Sequence, residues 1–169
     1  MANVKIVNAA GKYQDDNARH DLIHYVTQGR KIPNHIVGFS HGDIAQAADR
    51  MTRTARSFGK NQGVRICHFV ITFAPGDVRG LEYILYAADE ITRIVGQRHE
   101  IAYAVHEDTH IPHIHFAFNP VSFVGGYKYH GGKAEFRELM EKLTKVMHFI
   151  GVYRFFRVKY VPDGAEPHE

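Results

Sequence analysis

Cysteine is nearly missing: Cys67 is the single one in 169 residues. That excludes an intramolecular disulfide framework and any zinc site built from several thiolates. Tryptophan is absent. No apolar run approaches the ~18 residues that a membrane-spanning helix needs. The opening Met1-Ala2-Asn3-Val4-Lys5-Ile6 lacks the apolar core of a secretory signal. Nor is there a large excess of charge of one sign. Lys and Arg number 21 and Asp and Glu 18, for a net +3. An anionic partner must therefore be argued from local clusters rather than from the overall field. These absences lead us to expect a cytoplasmic protein with no membrane partner.

Histidine, by contrast, is abundant, with 13 in the chain, and imidazole is both a common metal ligand and a common proton carrier. The remaining composition, 44% hydrophobic and 23% charged, is that of a folded soluble domain. The length fits one domain over 1–161 with a polar, disordered tail over 162–169. Strands are expected at 3–8, 64–73, 100–106, 112–118 and 152–161. Helices are expected at 18–28, 43–58, 81–95 and 133–149, where apolar residues recur at helical spacing. Pro33, Gly38, Ser40 and Gly42 predict an irregular segment over 29–42. The order implies an α+β fold: a central, mainly antiparallel sheet of about five strands with helices packed on its faces.

The chemistry concentrates in His106-Glu107-Asp108-Thr109-His110-Ile111-Pro112-His113-Ile114-His115. His113 and His115 are two apart on a predicted strand, so they share a face. The connection to the preceding strand is short enough for an antiparallel hairpin, which brings His106 beside them. Three imidazoles with open positions are the pattern of a catalytic metal site rather than a closed structural one. Asp108 is placed to accept a ring N–H from one ligand and fix its tautomer. His-x-His alone is more often a polar sheet face; the longer H-x-D-x4-H-x-H pattern favours the metal. An ion held by three neutral imidazoles keeps its full charge and suits a phosphate.

Two basic regions fit that substrate. Arg50, Arg53 and Arg56 recur every third residue on a predicted helix, followed by Lys60 and Arg65. Lys128, Lys133, Arg154, Arg157 and Lys159 are interleaved with Tyr127, Tyr129, Phe155 and Phe156. Cations among rings suit single-stranded nucleic acid, whose bases stack while its phosphates meet the charges.

These blocks resemble the relaxase (mobilisation nuclease) domains of the HUH endonuclease superfamily, most closely the MOB-P type. The core is His113-Ile114-His115, preceded by His106-Glu107-Asp108 and followed by Asn119-Pro120. Leu22-Ile23-His24-Tyr25-Val26-Thr27 resembles the motif that carries the catalytic tyrosine, and Tyr25 takes that place. His68-Phe69-Val70-Ile71-Thr72-Phe73 resembles a second motif, with Thr72 where members often have Ser. The resemblance covers roughly residues 3–150. It implies a site- and strand-specific DNA nicking and strand-transfer enzyme. By that resemblance, Tyr25 would attack a phosphodiester of single-stranded DNA to leave a 5′-phosphotyrosine and a free 3′-OH, initiating mobilisation of a conjugative plasmid or element in the bacterial cytoplasm. It further implies one divalent ion, Mn²⁺ or Mg²⁺ with Zn²⁺, Co²⁺ and Ni²⁺ as alternatives, on His106, His113 and His115. Asp108 would act with the catalytic set, and Thr72 and Asn119 would contact DNA, together with Arg50, Arg53, Arg56, Lys128 and Lys133 of the basic regions. The implied partners are a transfer origin, relaxosome accessory proteins and a type IV secretion coupling protein.

The nucleophile stays open at this point between Tyr25, the neighbouring His24 and Tyr13. On a helix, His24 and Tyr25 point about 100° apart, so only one of them faces the site. A rolling-circle replication initiator or transposase of the same superfamily is an alternative, although the tyrosine block here precedes the histidine block. A three-His hydrolase of a small phosphate ester is another and needs no Tyr25. A DNA-binding module whose metal is structural or absent is a third.

Overall fold

The computed structural model describes residues 1–8, 11–28, 36–107 and 111–158. Six strands run through it: β1 (Ala2–Val7), β2 (Ile36–Phe39), β3 (Cys67–Phe73), β4 (Ile101–His106), β5 (His113–Phe118) and β6 (Phe155–Val158). The helices are α1 (Ala18–Gln28), α2 (Ala47–Ser57), α3 (Leu81–Val95) and α4 (Lys133–Phe149). The strands form one sheet in the order β2-β4-β5-β3-β1-β6. Every pairing is antiparallel except β1 with β6. The α+β architecture expected from the sequence is therefore present. The tail at 162–169 lies outside the described residues.

Alternation along the central strands sorts side chains into two layers. Ile101, Tyr103 and Val105 of β4 and Ile114, Phe116 and Phe118 of β5 pack with Phe69, Ile71 and Phe73 of β3. α3 and α4 close that layer through Ile84, Ala87, Ala88, Ile91, Leu139, Leu143, Val146 and Met147. The opposite face presents Ala102, Ala104 and Ala117 to α1 and α2, which contribute Leu22, Ile23, Val26 and Met51. Coverage on both sides leaves β4 buried along its whole length. The same two-sided burial explains why its sequence reads as an apolar run rather than a clean alternation.

The strand missing from the sequence reading is β2, in the stretch predicted to be irregular. Four residues containing a glycine carry no pattern of their own, and pairing with β4 is what makes them a strand. The glycine is required by that pairing. Gly38 lies opposite Tyr103, and a Cβ there would sit 2.3 Å from the tyrosine ring. The second predicted helix also differs at its start. Asp43 accepts from the Ala45 N–H at 3.0 Å and begins a single 3₁₀ turn, Ile44–Gln46, before α2 itself. β3 begins at Cys67 rather than at 64, and β6 at Phe155 rather than at 152; residues 159–161 of the last expected strand lie outside the described residues. No helix among the described residues is long and apolar enough to cross a membrane.

Candidate metal centre

The sheet register assembles the site. On the face covered by α1 and α2, Asn3, Thr72, His113 and His106 form one row across β1, β3, β5 and β4. The next row is Lys5, Val70, His115 and Ala104, and the one after it is Val7, His68, Ala117 and Ala102. His106 and His113 are direct cross-strand partners and His115 is one step along. The ring centroids lie 5.0 Å apart for His106 and His113, 4.6 Å for His106 and His115, and 5.1 Å for His113 and His115. Ala102, Ala104 and Ala117 on this face are small, so the imidazoles are its bulky groups on β4 and β5.

One nitrogen from each of the three rings falls within 4.8 Å of the others. Bonds of about 2.1 Å to one ion would set those atoms roughly 3.0–3.4 Å apart. The second nitrogens have partners. His113 Nδ1 donates to the Ile111 carbonyl at 3.1 Å, and His115 Nδ1 lies 3.0 Å from His68 Nε2. His106 Nε2 donates to the Val26 carbonyl at 2.8 Å. Burial, and then the neighbouring His68, His106 and His113, pushes the His115 imidazole down to about 2. It is neutral at physiological pH, with a lone pair to give a cation. The donor set therefore fits a divalent ion.

α1 carries two of the three nucleophile candidates, His24 and Tyr25. Its apolar residues Ala18, Leu22, Ile23 and Val26 are buried against the sheet, as their helical spacing predicts. His106 fastens the far end by bonding Val26 in the last turn, where carbonyls lack intrahelical partners. Tyr25 is left 60% exposed. Its ring stands perpendicular to that of His115 at 6.1 Å between centroids. His24 is exposed, and among the described residues it makes no ring contact with the three histidines. Tyr13 lies elsewhere. Its hydroxyl is 2.9 Å from His68 Nδ1, on the side of His68 away from His115.

The other expected residues divide. Asp108 lies outside the described residues. Thr72 is half-buried and directly opposite His113. Arg53 and Arg56 are exposed on α2, whereas Arg50 points its Nε at the buried Glu100, 3.8 Å away. Lys133 is exposed at the start of α4. Lys128 donates to the Gln62 carbonyl. Burial, and after it the charges of Arg65, Arg19 and Lys60, lower the Lys128 ammonium below its ordinary value. Asn119 is fully buried, and its amide bonds Glu100, the Met51 carbonyl and the Val121 N–H. It joins the end of β5 to α2 and offers no surface to a DNA strand.

Two groups on the site face escaped the sequence reading. His68 reaches His115 and Lys5 lies in its row. The signal existed in part, since His68, Val70 and Thr72 alternate on one strand. Only the β3–β5 register, which is not written in either strand alone, shows that this alternation shares the face of His113 and His115. Burial, then Lys12 and Lys5, pushes His68 down to about 3.

Residues 25–149 match the family model of relaxases, described as the MobA/VirD2-like nuclease domain. No curated protein matches the chain.

Proposed function

Because the chain belongs to the relaxase family of MobA/VirD2-like nuclease domains, we propose that it nicks one strand of DNA at a specific site and holds the 5′ end covalently on Tyr25. The observation that carries this reading is the position of Tyr25, on a separate element from the histidines yet edge-on to His115. A tyrosine so exposed suits a polymer passing over the surface rather than a small molecule enclosed in a pocket.

A divalent ion on His106, His113 and His115, Mn²⁺ or Mg²⁺, would polarise the scissile phosphate and offset its developing charge. The Tyr25 hydroxyl attacks phosphorus and loses its proton, and the P–O3′ bond breaks. The 3′ oxygen leaves with the bonding electrons and takes up a proton. The aryl phosphate ester keeps the free energy of the cleaved bond, so a 3′-OH can attack it and rejoin a strand. Asp108 is assigned to orienting a ligand imidazole. Thr72, beside His113, is assigned to a phosphate oxygen, and Arg53, Arg56, Lys128 and Lys133 to the flanking backbone. The partner is single-stranded DNA at a transfer origin in the bacterial cytoplasm. Relaxosome accessory proteins and a type IV secretion coupling protein follow from the mobilisation role.

The test is a trapping assay with Mn²⁺ and end-labelled oligonucleotides from the transfer origin of the native element. Wild type is expected to give an SDS-resistant protein–DNA adduct, absent in Tyr25→Phe and His113→Ala. Persistence of the adduct in Tyr25→Phe would move the nucleophile to His24 or Tyr13. Hydrolysis of small phosphate esters without any adduct would favour the three-His hydrolase.

A further inference from the structure

His68 sits behind His115, and Tyr13 sits behind His68. His68 Nε2 is 3.0 Å from His115 Nδ1, and Tyr13 Oη is 2.9 Å from His68 Nδ1. The His68 and His115 rings lie within 25° of parallel at 5.3 Å between centroids. That separation is near the largest that an N···N distance of 3.0 Å permits, so the two nitrogens point at each other. The His68 side chain is 5% exposed and His115 8% exposed, so solvent does not compete for the bond.

Protons can be placed along this chain in two ways. In one, Tyr13 donates to His68 Nδ1, His68 Nε2–H donates to His115 Nδ1, and the His115 proton sits on Nε2. That arrangement blocks the nitrogen His115 has left for an ion. In the other, His115 Nδ1–H donates to His68 Nε2, and His68 Nδ1–H donates to the Tyr13 oxygen. His115 Nε2 then carries a lone pair. Only the second arrangement is compatible with coordination, and it needs an acceptor at the His68 position.

The backbone gives an independent sign. Tyr13 has φ +61°, the one non-glycine with positive φ among the described residues. Bulky side chains adopt that region only where the surroundings hold them there, and such strain gathers at functional sites. Its carbonyl accepts from the Arg65 N–H at 2.8 Å, which ties the strained loop to the segment entering β3. The loop so held carries the Tyr13 hydroxyl that lies 2.9 Å from His68 Nδ1.

We propose that His68 and Tyr13 are positioning residues that fix the tautomer and ring orientation of His115 for metal binding. The inference rests on reading the three histidines as a metal centre. It also makes Tyr13 a support for the site rather than an alternative nucleophile. A ligand imidazole whose second nitrogen is bonded holds metal more tightly, and loss of that partner costs about 10–100-fold in affinity.

The experiment is Mn²⁺ and Co²⁺ titration of wild type, His113→Ala, His68→Leu, His68→Gln and Tyr13→Phe, each shown folded by circular dichroism in EDTA. His68→Leu is expected to weaken binding about 10–100-fold. His68→Gln, whose amide oxygen accepts where Nε2 did, is expected to recover most of it. Tyr13→Phe should fall between. Long-range ¹H–¹⁵N correlation of the metal-free wild type should show His115 protonated on Nδ1. Equal affinity in His68→Leu and wild type, or a His115 proton on Nε2, would overturn the proposal while leaving the metal centre intact. Should His68→Leu not fold, Tyr13→Phe and the tautomer measurement decide the matter. Metal binding unchanged in His113→Ala would instead overturn the metal centre itself.

Discussion

Asn119 shows how a residue adjoining a functional motif can serve the fold. Its amide donates to Glu100 and to the Met51 carbonyl, and its oxygen accepts from Val121 N–H. Glu100 is itself buried and also accepts from Thr54 at 2.5 Å. A carboxylate out of water depends on such donors, because an unpaired one costs several kcal/mol. Asn119→Ala is therefore expected to lower unfolding stability by about 2–4 kcal/mol, read as a lower urea midpoint. Metal affinity measured below the transition should be unchanged. A neutral midpoint would mean that water replaces the amide. Tyr25 differs in the opposite sense: it is exposed, and its ring stands edge-on to His115.

At the scale of elements, α1 and α2 rest on the sheet through a layer of small side chains. The cluster under α1 and α2 comprises Ala18, Leu22, Ile23, Val26, Ala47, Ala48, Met51, Ile66, Ala102, Ala104 and Ala117. Most of these are alanines, each of which buries much less apolar surface than a leucine or phenylalanine. The layer under α3 and α4 is built on Phe69, Phe73, Phe116, Phe118, Leu143 and Met147. Regions with fewer and smaller buried contacts open at lower free energy. Amides of α1 are expected to exchange with deuterium at least tenfold faster than those in the middle of α3 and α4 in the DNA-free protein. Equal protection would make α1 a rigid wall instead. The bond from His106 to Val26 ties the last turn of α1 to the three-histidine cluster, so opening of that turn would break it.

At the scale of the whole molecule, several imidazoles are buried in neutral form, which sets a pH dependence of stability. His68 is pushed down to about 3 and His115 to about 2. His99 is lowered chiefly by burial. An unfolded histidine titrates near 6.5. Below that pH the unfolded chain takes up protons that the folded protein does not. Stability is thus fully present above about pH 6.5 and is lost progressively as pH falls toward about 3. In EDTA, each of His68 and His115 is expected to contribute a loss of about 1 kcal/mol between pH 6 and pH 5. Urea midpoints at pH 7.5, 6 and 5 measure it. A midpoint flat across that range would show that these rings accept protons in the folded state.

Much of this arrangement was legible in the amino acids. Helical spacing of Leu22, Ile23 and Val26 placed α1 and left Tyr25 off the buried side. The short connection after His106 made β4 and β5 a hairpin, and two-residue periodicity put His113 and His115 on one face. Those are local consequences of chain geometry, so the three-histidine cluster could be read without a fold. What is non-local could not. β2 is a strand only because β4 offers it an edge, and Gly38 is there because Tyr103 leaves no room for a Cβ. His68 joins the site only through the register of β3 with β5, and Asn119 is claimed by Glu100 and Met51 from two other segments. Periodicity fixes the direction of a side chain relative to its own element. Which element lies alongside, and at what register, is decided by how the layers bury their apolar faces together, and that belongs to the tertiary structure.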